Sequence, residues 1–71
     1  MKKKKPLNFA IIGAGMVGTA IGFLLKKAGH PVVAVADLFP EHIKRAKNFI
    51  GAPGFQNPAR AADMAECLLI T

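Results

Sequence analysis

The sequence predicts an α/β fold in which a βαβαβ unit forms a three-stranded parallel sheet. The first apolar segment, residues 7–12, has the length of a strand and leads into a glycine-rich turn. A helix-length apolar segment follows, and a second strand with three β-branched positions comes at residues 32–36. Nearly continuous apolar strands that alternate with helices are typical of parallel sheets, whose strands are buried on both faces.

The first helix is predicted over residues 16–28, where apolar side chains recur at helical spacing. Lys26 and Lys27 occupy its last turn, where cations suit the negative end of the helix dipole. We expect Gly29 to end the helix in the left-handed conformation. Its apolar positions include Val17, Ala20, Ile21, Leu24 and Leu25.

The second helix is predicted to begin at Pro40, because proline suits the first helical position. Phe39 is then the N-cap residue and offers no side-chain acceptor, so we expect Asp37 to compensate in part. Gly51 ends the helix, and residues at i, i+3 and i+7 spacing form its predicted core stripe: Ile43, Ala46 and Ile50.

The remaining sequence predicts a loop at residues 52–57, a short helix to about residue 64 and a third strand at residues 67–71. Asn57 is suited to cap that helix, with Pro58 at its first position. Two right-handed crossovers in one direction give the strand order 3-2-1 and place the helices mainly on one face. We expect a partner to cover the other face, either a missing C-terminal half or a second copy in a homodimer.

The turn after the first strand, residues 13–18, has the spacing GxGxxG. Gly13 permits a sharp turn, Gly15 leaves room for a diphosphate to approach the backbone, and Gly18 lets the helix lie close to the strand. The N–H groups at the start of the helix then point at the diphosphate, and the helix dipole favours an anion there. A lone GxGxxG is weak evidence, whereas this strand–turn–helix context is typical of a dinucleotide-binding site.

Asp37 stands at the end of the second strand, 19 positions after Gly18. A carboxylate there accepts hydrogen bonds from ribose hydroxyls and repels a 2′-phosphate, which favours NAD over NADP. NADP is the alternative cofactor, because Lys44 and Arg45 on the following helix carry charges that suit a phosphate. The alternative interpretation of Asp37 is a simple turn residue before Pro40. The predicted cofactor-binding residues are Gly13, Ala14, Gly15, Met16, Val17, Gly18 and Asp37. No catalytic residue or metal ligand is assigned, and neither histidine, His30 or His42, is given a role.

The composition fits one small domain, residues 7–71, behind a short tail. The chain has 71 residues, 52% of them hydrophobic, and a net charge of +6. Four of its ten basic residues form the run at positions 2–5, which leaves six basic against four acidic residues and a net charge of +2. We interpret residues 1–6 as a flexible basic tail, because no aromatic residues or second basic cluster accompany it. The single cysteine, Cys67, excludes an intrachain disulfide.

Residues 9–25 contain no charged side chain and follow four lysines, as a signal peptide would. Four glycines interrupt this segment, however, and a second apolar strand comes before any plausible cleavage point. We therefore expect a cytoplasmic protein with no membrane or nucleic-acid partner.

The run GAGMVGTAIGFLLKKAGHPVVAVAD resembles the N-terminal cofactor domain of the 6-phosphogluconate dehydrogenase-like superfamily, which includes pyrroline-5-carboxylate reductases and prephenate dehydrogenases. The resemblance covers residues 7–71 and implies a Rossmann-like half-domain with Asp37 as the ribose acceptor. Several relatives have Ser-Arg or Asn-Arg after the second strand, whereas Asp37-Leu38 favours the unphosphorylated cofactor. Substrate residues of such proteins lie mainly outside this stretch.

These features favour the NAD(P)-binding portion of an oxidoreductase, in which regions beyond residue 71 complete hydride transfer. The FAD-binding segment of a flavin oxidoreductase shares the glycine fingerprint, but no Gly/Ser-rich segment follows Asp37 here. A non-catalytic nucleotide-sensing module is the third hypothesis, because this fold supports many uses.

Overall fold

The computed structural model describes residues 6–71, so the prediction for the basic tail falls almost entirely outside the described part of the chain. The strands are β1 (Phe9–Ile12), β2 (Val32–Ala36), β3 (Gly54–Phe55) and β4 (Cys67–Ile70). The helices are α1 (Met16–Lys27), α2 (Pro40–Ile50) and α3 (Pro58–Ala62). The α/β fold class predicted from the sequence is confirmed, and the main element bounds agree to within about two residues.

The four strands form one parallel sheet in the order β3-β2-β1-β4. The predicted order 3-2-1 is present in this sheet, but a different segment supplies its third strand. Gly54–Phe55, which the sequence placed in a loop, pairs with β2, and Cys67–Ile70 pairs with β1 at the other edge. A two-residue strand beside Pro53 carries no periodic signal, which explains why the sequence did not reveal it.

The position of β4 follows from the handedness of parallel crossovers. The chain moves outward from β1 through β2 to β3, with α1 and α2 on one face of the sheet. It then returns past β2 and β1 to reach β4, so a right-handed connection places α3 on the opposite face. The prediction that the helices lie mainly on one face holds for α1 and α2, whereas α3 covers the other.

The core between the sheet and the first two helices contains aliphatic side chains of moderate size. Ile11 of β1 and Val35 of β2 are its largest fully buried side chains. The stripe predicted for α2 is confirmed, since Ala46 and Ile50 are buried in this cluster and Ile43 is half-buried. This cluster also contains Ala14 and Ala52.

Helix α1 contacts the sheet through its smallest residues. Its buried positions are Gly18, Thr19 and Gly22, and a Cβ on Gly22 would collide with Ile11 Cδ1 and lie 2.6 Å from Ile50 Cδ1. Of the apolar positions of this helix, Val17, Ala20 and Leu24 are exposed, so their helical spacing does not mark its buried face. Close approach along the glycine face turns these apolar side chains outward.

The second face of the sheet is covered by alanine packing. Ala61 of α3 is fully buried against Ala10, Ala34 and Ala36. The sequence predicts a partner over this face, but α3 already covers β1 and β2 there. The strand β4 remains open on this face, where Leu68 and Ile70 are 48% and 74% exposed.

We expect Ala61→Leu to destabilise the fold by about 1–3 kcal/mol, because three additional carbon atoms would have to enter a fully buried position between α3 and the sheet. Ala59→Leu is the matched control, since Ala59 lies on the same helix and is exposed. Urea unfolding of both variants measures the difference. Equal stability of the two variants would contradict the close packing of α3 on the sheet.

Candidate functional site

The residues that follow the four strands lie together at one edge of the sheet. Strand register aligns Ile12 with both Ala36 and Ile70, and Ala36 with Phe55. The next residues along the chain are Gly13, Asp37, Gln56 and Thr71, and all four line one cleft of about 410 Å³. The other lining residues are Ile12, Ala36, Leu38, Phe39, His42, Pro58 and Ile70. Ligands of open parallel sheets bind at the carboxyl ends of strands, so this cleft is the candidate site.

The turn at Gly13 is held by hydrogen bonds from both neighbouring strands. Gly13 has φ +98°, which a side chain would disfavour, and its N–H donates to the Ala36 carbonyl at 2.8 Å. The Thr71 hydroxyl donates to the Gly13 carbonyl at 2.6 Å, and the Thr71 N–H donates to the Ile12 carbonyl at 2.9 Å. The turn is thus fixed from the β2 side and from the β4 side.

The other two glycines of the motif occupy different environments. A Cβ on Gly15 would meet nothing within 4 Å, so open space lies beside this residue. A Cβ on Gly18 would collide with the Gly13 carbonyl oxygen and approach the Thr71 hydroxyl to 3.0 Å. Gly18 therefore permits the helix to pack against the turn, and Gly15 leaves the surface of the turn accessible.

Helix α1 begins with unsatisfied donors. Gly15 is its N-cap residue and supplies no side-chain hydrogen bond, and the first turn carries no acidic residue. The first N–H groups of a helix have no partner within it, so those of Met16 and Val17 are directed out of the helix start. The buried Thr19 hydroxyl braces this end by donating to the Ala14 carbonyl at 3.0 Å.

The Asp37 carboxylate receives donors from three parts of the chain. Oδ2 accepts from the Ala14 N–H at 2.8 Å and lies 3.1 Å from His42 Nδ1, and Oδ1 accepts from the Phe39 N–H at 2.8 Å. The side chain is only 9% exposed. Burial raises the pKa of Asp37, but the bonds from Phe39, His42 and Ala14 outweigh burial and bring the pKa below its ordinary value of 3.8.

Asp37 contacts the start of α2, but it does not replace the missing N-cap acceptor. Phe39 is the N-cap residue and makes no side-chain capping bond. Asp37 accepts the N–H of Phe39 itself, whereas the first-turn N–H groups of His42 and Ile43 donate to the Phe39 carbonyl. The carboxylate therefore also lies near the positive end of the second helix.

Sequence reasoning did not identify His42, Thr71 or Gln56 as residues of the site. The His42 ring lies 5.1 Å from the Phe39 ring, centroid to centroid, and faces the carboxylate. Thr71 and Gln56 each follow a strand directly, and this position is the signal that could have identified them. The predicted third strand included Thr71, however, and the segment before Gln56 was predicted as a loop. For His42 the signal is its position in the first turn of α2, five residues after Asp37 at the end of β2.

The two cations considered for a 2′-phosphate lie away from the cleft. Arg45 lines a separate, mainly apolar groove of about 500 Å³ between α1 and α2, together with Phe23 and Phe49. Lys44 is exposed on α2 and does not line the cleft either. Over the described residues, the lining of the cleft contains no lysine or arginine.

Two further observations concern residues 6–71 as a whole. None of their helices has both the length and the apolar character needed to cross a membrane. Their His, Cys, Asp and Glu side chains nowhere gather in a group of three that could hold a metal ion.

The Rossmann-like domain model matches residues 2–71, nearly the whole chain. The chain therefore belongs to the Rossmann-like domain family. Among curated proteins, none matches the chain significantly.

Three solved structures show the same fold within larger enzymes. A proposed NADP oxidoreductase from Bacteroides fragilis is 20% identical, with a TM-score of 0.83 over 93% of this chain. The WlbA dehydrogenase from Chromobacterium violaceum, solved with NADH and UDP-GlcNAcA, is 22% identical, with a TM-score of 0.83 over 99%. A myo-inositol 2-dehydrogenase from Lactobacillus plantarum is 30% identical, with a TM-score of 0.76 over 94%. This chain spans only 26%, 21% and 21% of those three proteins, respectively.

The pKa of Asp37 generates a prediction about acid stability. Since the folded pKa lies below the unfolded value, the carboxylate stabilises the fold fully above pH 3.8 and loses this effect as the pH falls through the lower folded value. Urea unfolding between pH 2.5 and 6 should therefore show a steeper acid loss for the parent chain than for Asp37→Asn. Parallel acid limbs would show that the three donors do not favour the ionised carboxylate.

Proposed function

We propose that this chain is the cofactor-binding portion of an NAD(P)-dependent oxidoreductase. The turn at residues 13–18 holds the cofactor diphosphate through backbone N–H groups at the start of α1. Asp37 accepts hydrogen bonds from the adenosine ribose. The cofactor supplies the hydride chemistry when bound, and the chain's own residues bind and orient it.

One observation carries this proposal: the Ala14 N–H donates to Asp37 Oδ2 at 2.8 Å. This bond joins the glycine-rich turn to the acidic end of β2, two features that are 23 residues apart in the sequence. A diphosphate at the helix start and a ribose at the carboxylate are parts of one molecule, so a dinucleotide requires them to be adjacent. The open space beside Gly15 provides access to the helix start.

The residues of the cleft favour NAD over NADP. Asp37 is ionised and the lining has no lysine or arginine to offset its charge against a 2′-phosphate. The three similar structures are described as an NADP oxidoreductase, an NADH-bound dehydrogenase and a myo-inositol dehydrogenase, and they support a nicotinamide dinucleotide in general. The 6-phosphogluconate dehydrogenase-like superfamily remains our finer proposal for the relatives of this chain.

A flavin cofactor and a nucleotide-sensing role are the alternatives. After Asp37 the chain enters α2 at Pro40 within three residues, and this brings Phe39 and His42 against the carboxylate. This short connection favours a nicotinamide dinucleotide over FAD. The exposed Leu68 and Ile70 of β4 fit a further part of a larger enzyme, or a second copy, on this face. A cytoplasmic location also remains a proposal.

We expect the chain to bind NADH more tightly than NADPH, as measured by titration of their fluorescence. Asp37→Ala should weaken NADH binding by about tenfold or more, because charge-assisted hydrogen bonds to the ribose are lost. Asp63→Ala is the matched control, since it removes the same charge from an exposed position outside the cleft. Equal affinity for both cofactors, unchanged by either substitution, would remove Asp37 from the ribose site.

The role of the turn is best tested at Gly15. Gly15→Val adds a side chain into open space, so the fold should persist while the side chain blocks a diphosphate. We expect at least a tenfold loss of NADH affinity with an unchanged circular dichroism spectrum. Gly13→Val is unsuitable, because Gly13 has a positive φ and its Cβ would lie 2.7 Å from the Thr71 carbonyl oxygen. Unchanged NADH affinity in folded Gly15→Val protein would contradict diphosphate binding at this turn.

A further inference from the structure

The Asp37 carboxylate has almost no acceptor capacity left. An ionised carboxylate offers about four lone-pair sites and no donor. The N–H groups of Ala14 and Phe39 and the ring of His42 already use three of them. Two ribose hydroxyls donating together require two sites, so one of the present donors must give way.

His42 is the donor that can leave. The N–H groups of Ala14 and Phe39 belong to the backbone of the turn and of the start of α2, where other hydrogen bonds fix the chain. The imidazole is a side chain that is 30% exposed, and it leaves the carboxylate by rotation about its own bonds. The ribose and His42 therefore compete for Asp37 Oδ2.

The protonation of the ring is constrained at one nitrogen. Because an ionised carboxylate only accepts, His42 Nδ1 must carry a proton to bond with it at 3.1 Å. The second nitrogen, Nε2, is an acceptor in the neutral ring and a donor in the imidazolium ion. The charge of the ring thus decides whether the pair formed by Asp37 and His42 has a net charge of −1 or zero.

We propose that His42 is a specificity residue of the cofactor site, which admits a 2′-phosphate when its imidazole is protonated and excludes one when it is neutral. The inference rests on the proposed ribose site at Asp37. A neutral ring leaves the Asp37 charge uncompensated, and a 2′-phosphate is repelled. An imidazolium cancels that charge and offers its Nε2–H to the phosphate.

The charged groups around His42 leave Asp37 as its main electrostatic partner. Glu41 precedes it on α2 and is exposed, and Arg45 lies one turn further on and lines the other groove. From α3, Arg60 packs over the Phe55 ring, 5.6 Å from its centroid. The imidazole is thus the only side chain lining the cleft, within the described residues, that can become cationic.

The test compares dissociation constants for NADH and NADPH at a series of pH values between 8.5 and 6.0. The preference for NADH over NADPH should fall with decreasing pH in the parent chain. This preference is the ratio of the NADPH dissociation constant to the NADH dissociation constant. In His42→Gln, which keeps a neutral donor, the ratio should decrease about tenfold less over the same pH range. The ionisation of the 2′-phosphate near pH 6 affects both proteins equally, so only the difference between them reports on His42.

His30→Gln is the matched control. His30 lies in the connection before β2, where its ring contacts Phe9, at the opposite end of the strands from the cleft. It should retain the pH dependence of the parent chain. As a second measurement, 2′-AMP should shift the NMR ring-proton resonances of His42 and leave those of His30 unchanged.

The outcomes of this test separate the role of His42 from the proposed cofactor site. Equal pH dependence in the parent chain and His42→Gln, with NADH binding intact, would overturn the role of His42 and leave the proposed cofactor site standing. Loss of the pH dependence in His30→Gln as well would also overturn it. Absence of measurable binding of both nucleotides at every pH would reject the proposed function itself.

Discussion

The hydrogen bond between the Asp37 carboxylate and the Ala14 N–H is the interaction on which the arrangement of the candidate site depends. It fixes the glycine-rich turn against the end of β2. The same carboxylate satisfies the Phe39 N–H at the start of α2, whose N-cap residue lacks an acceptor of its own. One largely buried side chain thus sets the relative positions of a turn, a strand and a helix. Its low pKa follows from these donors, which together outweigh the cost of burial.

A second constraint is the narrow space between α1 and the sheet. Gly18 and Gly22 face inward, and any side chain at either position would collide with the turn or with Ile11. The start of α1 is therefore held directly over the carboxyl ends of the strands, where its unsatisfied N–H groups can act on a ligand. Because the glycines occupy the inner face of α1, Val17 and Leu24 point outward and form an exposed apolar surface on this helix.

Much of the fold and part of the site could be predicted because the responsible signals are local. Proline at position 40, glycine at positions 29 and 51 and β-branched residues in β2 specify their own backbone conformations. The positive φ of Gly13 is likewise an individual requirement of one residue. His42 and Thr71, in contrast, do not specify a backbone conformation that marks them as part of the site. Their presence in the cleft depends on the first turn of α2 folding back onto Asp37 and on β4 lying beside β1.

The sequence by itself determined the alternation of strands and helices, the tight turn after β1 and the acidic end of β2, since each depends on residues close together in the chain. Only the tertiary structure decided that β4 pairs with β1, because the strand order depends on the direction in which the chain returns across the sheet. It also decided that alanines of β1, β2 and α3 close the second face. The contact between Asp37 and Ala14 belongs to the same class, because these residues are 23 positions apart and meet only where β2 lies beside β1.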